Sequence, residues 1–179
     1  MDRGNHYEAA FEAYLQARGL GYVAVDESRR PLLGDGPVKS LDFLVLGGDA
    51  RLCIDIKGRR FPGGPAAKPR RVWECWAFRE DLDGLERWTR LTGDGFRGLL
   101  VFAYSLHRSV GFSPSTPDLF AFRGRRYLFR GIDAEDYRER MRVRSPRWRT
   151  VDLAKDDYRA LVRPFSDFLR AREPVGVPF

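Results

Sequence analysis

Residues 41–58 read LDFLVLGGDARLCIDIKG. Two apolar runs flank Gly48-Asp49, residue types that close tight hairpins, so the segment reads as strand, turn, strand over 41–47 and 50–58. Side chains alternate along a strand, which puts Leu52, Ile54 and Ile56 on one face and Cys53, Asp55 and Lys57 on the other. An acid and a base on a strand otherwise suited to a core admit two readings: a half-exposed ion pair, or groups held in place for chemistry. Asp42 lies near the start of the first strand, and the hairpin can bring it beside Asp55. Two adjacent carboxylates repel unless a proton or cation intervenes. Mg²⁺ takes a few carboxylate oxygens together with water and phosphate oxygens, and so suits such a pair. The backbone carbonyl of Ile56 can add a ligand. Lys57 would then stand beside a scissile phosphate, able to orient or deprotonate the attacking water and to offset transition-state charge. Only four of the chain's 32 basic residues are lysines. Lysine can give up its proton and arginine cannot, so a lysine kept on this strand favours the chemical reading.

Working outward, Asn5 can cap a helix whose apolar positions Tyr7, Ala10, Phe11, Tyr14 and Leu15 share a face and which ends near Gly19. Glu8 and Glu12 lie four residues apart on that helix and therefore on one side of it. GYVAVDE (21–27) reads as a strand, 28–37 as turn-rich, and 58–71 as a mobile Gly/Pro/Arg loop. A helix is expected over about 80–92, a buried strand at GLLVFAYSL (98–106), a hairpin around Gly124-Arg125, a short helix to about 141, and an amphipathic helix over 154–171 that Pro164 kinks or splits. The order implies an α/β fold, a mixed central sheet flanked by helices, with a C-terminal hairpin and helical extension. A length of 179 residues suits one domain, with the core at about 5–106 and decoration at about 107–179.

The net charge is +7, distributed unevenly. Residues 1–57 hold nine acids and seven bases, whereas 58–71 hold five bases and no acid, 123–130 four bases and no acid, and 138–149 six bases and one acid. Such clusters attract polyanions through phosphate contacts. Arg59, Arg60, Lys68, Arg70 and Arg71 are candidates for gripping a nucleic-acid backbone, and His6 could join them. Trp73, Trp76 and Trp88 could stack on bases, although core packing is the stronger expectation. The two cysteines, Cys53 and Cys75, make neither a disulfide framework nor a zinc set. With no apolar leader and no run long enough to cross a bilayer, the expected setting is the cytoplasm, away from membranes.

A glutamate on a first helix, an aspartate on a strand and an Asp-x-Lys thirteen residues later resemble the PD-(D/E)XK nuclease superfamily, most closely its archaeal Holliday-junction resolvases. The string HYEAAFE (6–12) also resembles the uncharacterised HYExAFE family. The superfamily resemblance implies a restriction-endonuclease-like αβββαβ core and Mg²⁺- or Mn²⁺-dependent hydrolysis of DNA. It implies Asp42 and Asp55 as metal ligands, Lys57 as the catalytic lysine and Glu8 as the helix glutamate, with Glu12 in reserve; from its place on the helix, Glu8 could reach the metal directly or through water. Leu41 stands where the motif's name has proline. Junction-cutting relatives work as dimers. Non-catalytic alternatives of the same fold are a nucleic-acid-binding module and a protein-interaction scaffold.

Overall fold

The computed structural model describes residues 5–25, 40–65 and 67–170. The end of the expected first strand (Asp26 and Glu27), the turn-rich 28–37 and the last residues lie outside them.

The hairpin forms as its sequence dictates. Strands β1 (Gly21–Ala24), β2 (Phe43–Gly47) and β3 (Ala50–Phe61) pair antiparallel in succession, with Gly47 opposite Ala50 and Gly48 at φ +60° in the turn. A short strand, β4 (Ala77–Phe78), precedes helix α2 (Arg79–Thr92), which returns the chain to β5 (Phe96–Leu106), parallel to β3. Parallel neighbours require such a crossover, and here the helix provides it.

The long pairing of β3 with β5 explains one departure from expectation. Each residue from Arg51 to Phe61 has a partner on β5, so β3 continues through Arg59 and Arg60, where a loop was expected. The segment after it is also held, by reciprocal backbone hydrogen bonds between Gly63 and Arg70.

Strands β6 (Leu119–Phe122) and β7 (Arg125–Asp133) form the expected hairpin, and helix α3 (Ala134–Arg140) is capped by Asp133. Strands β8 (Arg142–Ser145) and β9 (Thr150–Asp152) then pair, and β9 also pairs with β4, making a second, three-stranded sheet. The expected C-terminal helix is shorter than its pattern. Helix α4 (Lys155–Leu161) stops, Arg163–Pro164 form β10 against β7, and Phe165–Leu169 make a 3₁₀ turn. Proline lacks the N–H needed to continue the helix, and its ring excludes the helical conformation at the preceding residue.

The large sheet runs β1-β2-β3-β5-β7-β10, with β6 also on β7. Helix α1 (His6–Ala17) covers one face, placing Ala10, Phe11, Tyr14 and Leu15 against Phe43, Ile54, Val101, Phe129 and Phe165. Helix α2 covers the other, with Leu82 and Leu85 in one cluster with Cys53, Leu100 and Phe102. The three tryptophans 73, 76 and 88 are half-buried, and Trp73 and Trp88 pack against that second cluster. Among the described residues no helix is long and apolar enough to cross a membrane.

Gly58 fixes where α1 begins relative to β3. A Cβ there would lie 2.2–2.6 Å from the Tyr7 ring, so only glycine lets the helix start this close to the strand. Gly58→Ala must push Tyr7 outward and Glu8 with it. The expected cost is about 1–3 kcal/mol, the range for overpacking a filled site, measured by urea denaturation.

Candidate active site

The site lies where β2 ends and β3 runs on. Asp42 is the last residue before β2: its N–H donates to Ile54 O and its carbonyl accepts from Val25 N. Beyond it, the edge of β3 lacks a strand partner among the described residues. The Asp42 side chain takes over, its Oδ2 accepting from Ile56 N at 2.5 Å. A strand residue sends its N–H and C=O to the same side, so the Ile56 carbonyl also points to this vacated edge, beside the Asp42 carboxylate.

Asp55 and Lys57 occupy the α2 face of β3. Lys57 Nζ lies 2.5 Å from Asp55 Oδ2 and 2.7 Å from Asp81 Oδ2, with the lysine side chain only 12% exposed. Asp81 is the third residue of α2, and the same Oδ2 accepts from Phe78 N at 2.8 Å. A carboxylate in a helix's first turn suits the positive end of the helix dipole, and here it also fixes a lysine. Sequence reading missed Asp81. The available signal was an acid at the helix start that could satisfy a backbone N–H three residues earlier.

Asp42, Asp55 and Asp81 are all buried, Glu8 acts on Asp42 from α1, and Lys57 contacts both Asp55 and Asp81. Burial, then the Asp55 charge, holds the Asp42 carboxyl well above the usual carboxylate range; the Ile56 N–H and Lys57 oppose the rise and Glu8 adds to it. The helix glutamate acting on Asp42 is thus Glu8, while Glu12 accepts from Tyr22 OH at 3.0 Å. A buried carboxyl whose charge is disfavoured by burial and by a neighbouring carboxylate, next to an outward carbonyl, fits a divalent cation. Among the described residues no three His, Cys, Asp or Glu side chains converge as a ligand set. A cation here could therefore take Asp42, Asp55 and the Ile56 carbonyl, leaving positions for water and substrate oxygens.

The basic candidates separate. Arg59 differs from expectation: it is buried, donates to Gly58 O and Trp76 O, and stacks over the Trp76 ring at 3.8 Å, so it is an internal tie and no grip for a backbone. Its position follows from parity, because it shares the α2-side face of Asp55 and Lys57. Arg60 and His6 instead line a cleft of about 550 Å³ together with His107, Arg108, Arg125 and Arg126, and no acid lines it. His6 Nδ1 lies 2.9 Å from Tyr127 OH, and burial, then Arg125, lowers the His6 pKa. Lys68, Arg70 and Arg71 are exposed on the segment after β3, with Arg70 3.6 Å from Glu74. Cys53 and Cys75 are free and buried.

Neither a protein-family model nor a curated protein matches the chain. Its structure is similar to that of the Holliday junction resolvase Hjc from Archaeoglobus fulgidus, an archaeal hyperthermophile, at 13% identity, covering 93% of this chain and 99% of that one with a TM-score of 0.53. The mixed sheet flanked by helices is thus a resolvase-like, restriction-endonuclease-like fold.

Proposed function

We propose that this chain is a divalent-metal-dependent endonuclease that hydrolyses phosphodiester bonds in DNA. The observation that carries the reading is the acid-rich cluster at the vacated edge of β3, where one buried lysine is held between Asp55 and Asp81. Asp42, Asp55 and the Ile56 carbonyl would hold Mg²⁺ or Mn²⁺, with Glu8 reaching it through water. When bound, the cation polarises the phosphoryl oxygen and acidifies water. Lys57 carries a fixed positive charge to the phosphate as negative charge builds on its oxygens, and is placed to orient the attacking water. Asp81 positions Lys57 and is itself anchored by Phe78 N. The same arrangement would draw DNA through Arg60 and His6 in the basic cleft and through the exposed Lys68, Arg70 and Arg71 on the segment after β3.

The similar fold of a junction resolvase supports a preference for branched DNA and a homodimer that cuts two strands. The HYEAAFE string forms the first turns of α1, and the Glu8 it contains acts electrostatically on Asp42.

Nicking of plasmid, flap and four-way-junction DNA tests the reading. Cleavage is expected with Mg²⁺ or Mn²⁺, is abolished by EDTA, and falls to background in Asp55→Ala. Cleavage that persists in Asp55→Ala, or binding without cleavage on every substrate, sinks it; the latter result would leave a nucleic-acid-binding module.

A further inference from the structure

We infer that the β8–β9 hairpin is a stacking wedge for an unpaired DNA base, with Trp148 as its blade. The inference rests on the DNA reading above and extends it to the form of the substrate. Trp148 is 66% exposed, and the Arg147 guanidinium lies 5.4 Å from its ring. The other three tryptophans are half-buried. A single exposed apolar side chain is ordinary on a protein surface, so it is the arginines on the same hairpin that give this ring a partner chemistry.

The tip is held in one shape. Trp148 N donates to Ser145 Oγ and Arg149 N to Pro146 O, and Arg149 adopts a left-handed φ of +49°. It is also tied to the candidate active site. Arg79 N donates to Arg149 O, and Thr150 pairs with Phe78, whose own N–H anchors Asp81. The ring therefore projects from a strand ladder that ends at the carboxylate gripping Lys57.

Its surroundings select the occupant. Arg147 lies over the ring, and Arg144 and Arg149 on the same hairpin, like Arg147, make no ion pair among the described residues. Arg144 sits 5.3 Å over Trp76 and, with Trp76, Arg71 and Arg159, lines a cleft of about 720 Å³. An exposed aromatic ring on an arginine-rich hairpin matches a base with its flanking phosphates, since every base offers a π-face and every phosphate a charge. A base inside a duplex is already stacked on both sides, so the wedge gains only where pairing is interrupted.

The test is binding in EDTA, where no cleavage occurs, by the full chain. Two duplexes of equal length are compared, one fully paired and one with two unpaired bases at its centre, the latter carrying 2-aminopurine at one unpaired position. Wild type should bind the interrupted duplex roughly tenfold more tightly, the gain expected of one stacked base, and quench its 2-aminopurine fluorescence. Trp148→Ala should erase both the preference and the quenching while leaving affinity for paired DNA unchanged, and Trp148→Phe should restore part of each. A preference that survives Trp148→Ala overturns the inference. So does a Trp148→Ala variant that changes only self-association, which would assign the ring to a second copy of the chain. If the preference is present but no metal releases cleavage, the wedge stands and the nuclease reading falls.

Discussion

Lys57→Met should lower the cleavage rate at least 100-fold and the free energy of unfolding by about 3–5 kcal/mol. Both losses follow from its position. The side chains of Asp55 and Asp81 are 7% and 0% exposed, and Lys57 Nζ contacts both. Removing the ammonium strands two buried carboxylates, the circumstance in which breaking a buried pair is most damaging. It also removes the positive charge that the proposed reaction brings to the phosphate. The two effects separate in the double variant Lys57→Met/Asp81→Asn. Neutralising Asp81 relieves one stranded charge, and the amide oxygen can still accept from Phe78 N. Urea unfolding in EDTA should show part of the stability restored, while initial cleavage rates stay at the single-variant level. Unchanged stability in Lys57→Met would mean that the lysine is not held between the two acids.

Asp42→Asn should stabilise the metal-free protein and destroy its response to Mg²⁺. Burial and the Asp55 charge hold the Asp42 carboxyl above its ordinary range. As pH rises through the ordinary carboxylate value, the unfolded chain releases this proton while the folded chain keeps it. The folded state then binds more protons, and stability falls with rising pH until the folded form also ionises. Asparagine has no such proton, and its amide oxygen can still accept from Ile56 N. In EDTA at pH 8 the variant should melt higher than wild type by about 2–4 °C, the shift that 1 kcal/mol produces in a chain of this size. The gap should close toward pH 4. Added Mg²⁺ should raise the melting temperature of wild type alone, because only wild type presents both carboxylates. A variant that melts lower at pH 8, or that still responds to Mg²⁺, would contradict this account of the pair.

The fold keeps three acids in one buried corner, with Lys57 between two of them, and burial with a neighbouring carboxylate raises the pKa of Asp42. Groups perturbed in this way cluster where ligands bind.

Much of this corner was legible in residues 41–58. A strand's alternation and a Gly-Asp turn are local, so the pairing of Asp42 with the Asp55 strand followed from the chain itself. So did α1 with its apolar stripe, and α2 as the crossover between parallel strands. Asp81 was not legible, because it reaches Lys57 only after α2 folds back over β3. Arg59 was misread for a related reason: composition marks 58–71 as a basic loop, but pairing with β5 draws the strand through Phe61 and turns Arg59 under Trp76. Which of Glu8 and Glu12 acts on Asp42 also waited on packing: both lie on one side of the helix, but Glu8 is the one whose charge reaches Asp42, while Glu12 accepts from Tyr22 OH. By itself the sequence determined the period of each element and the residues at the hairpin, because those depend on neighbours a few positions away. Only the tertiary structure decided which charges share the buried corner, because burial and Coulomb interactions depend on distances between segments far apart in the chain.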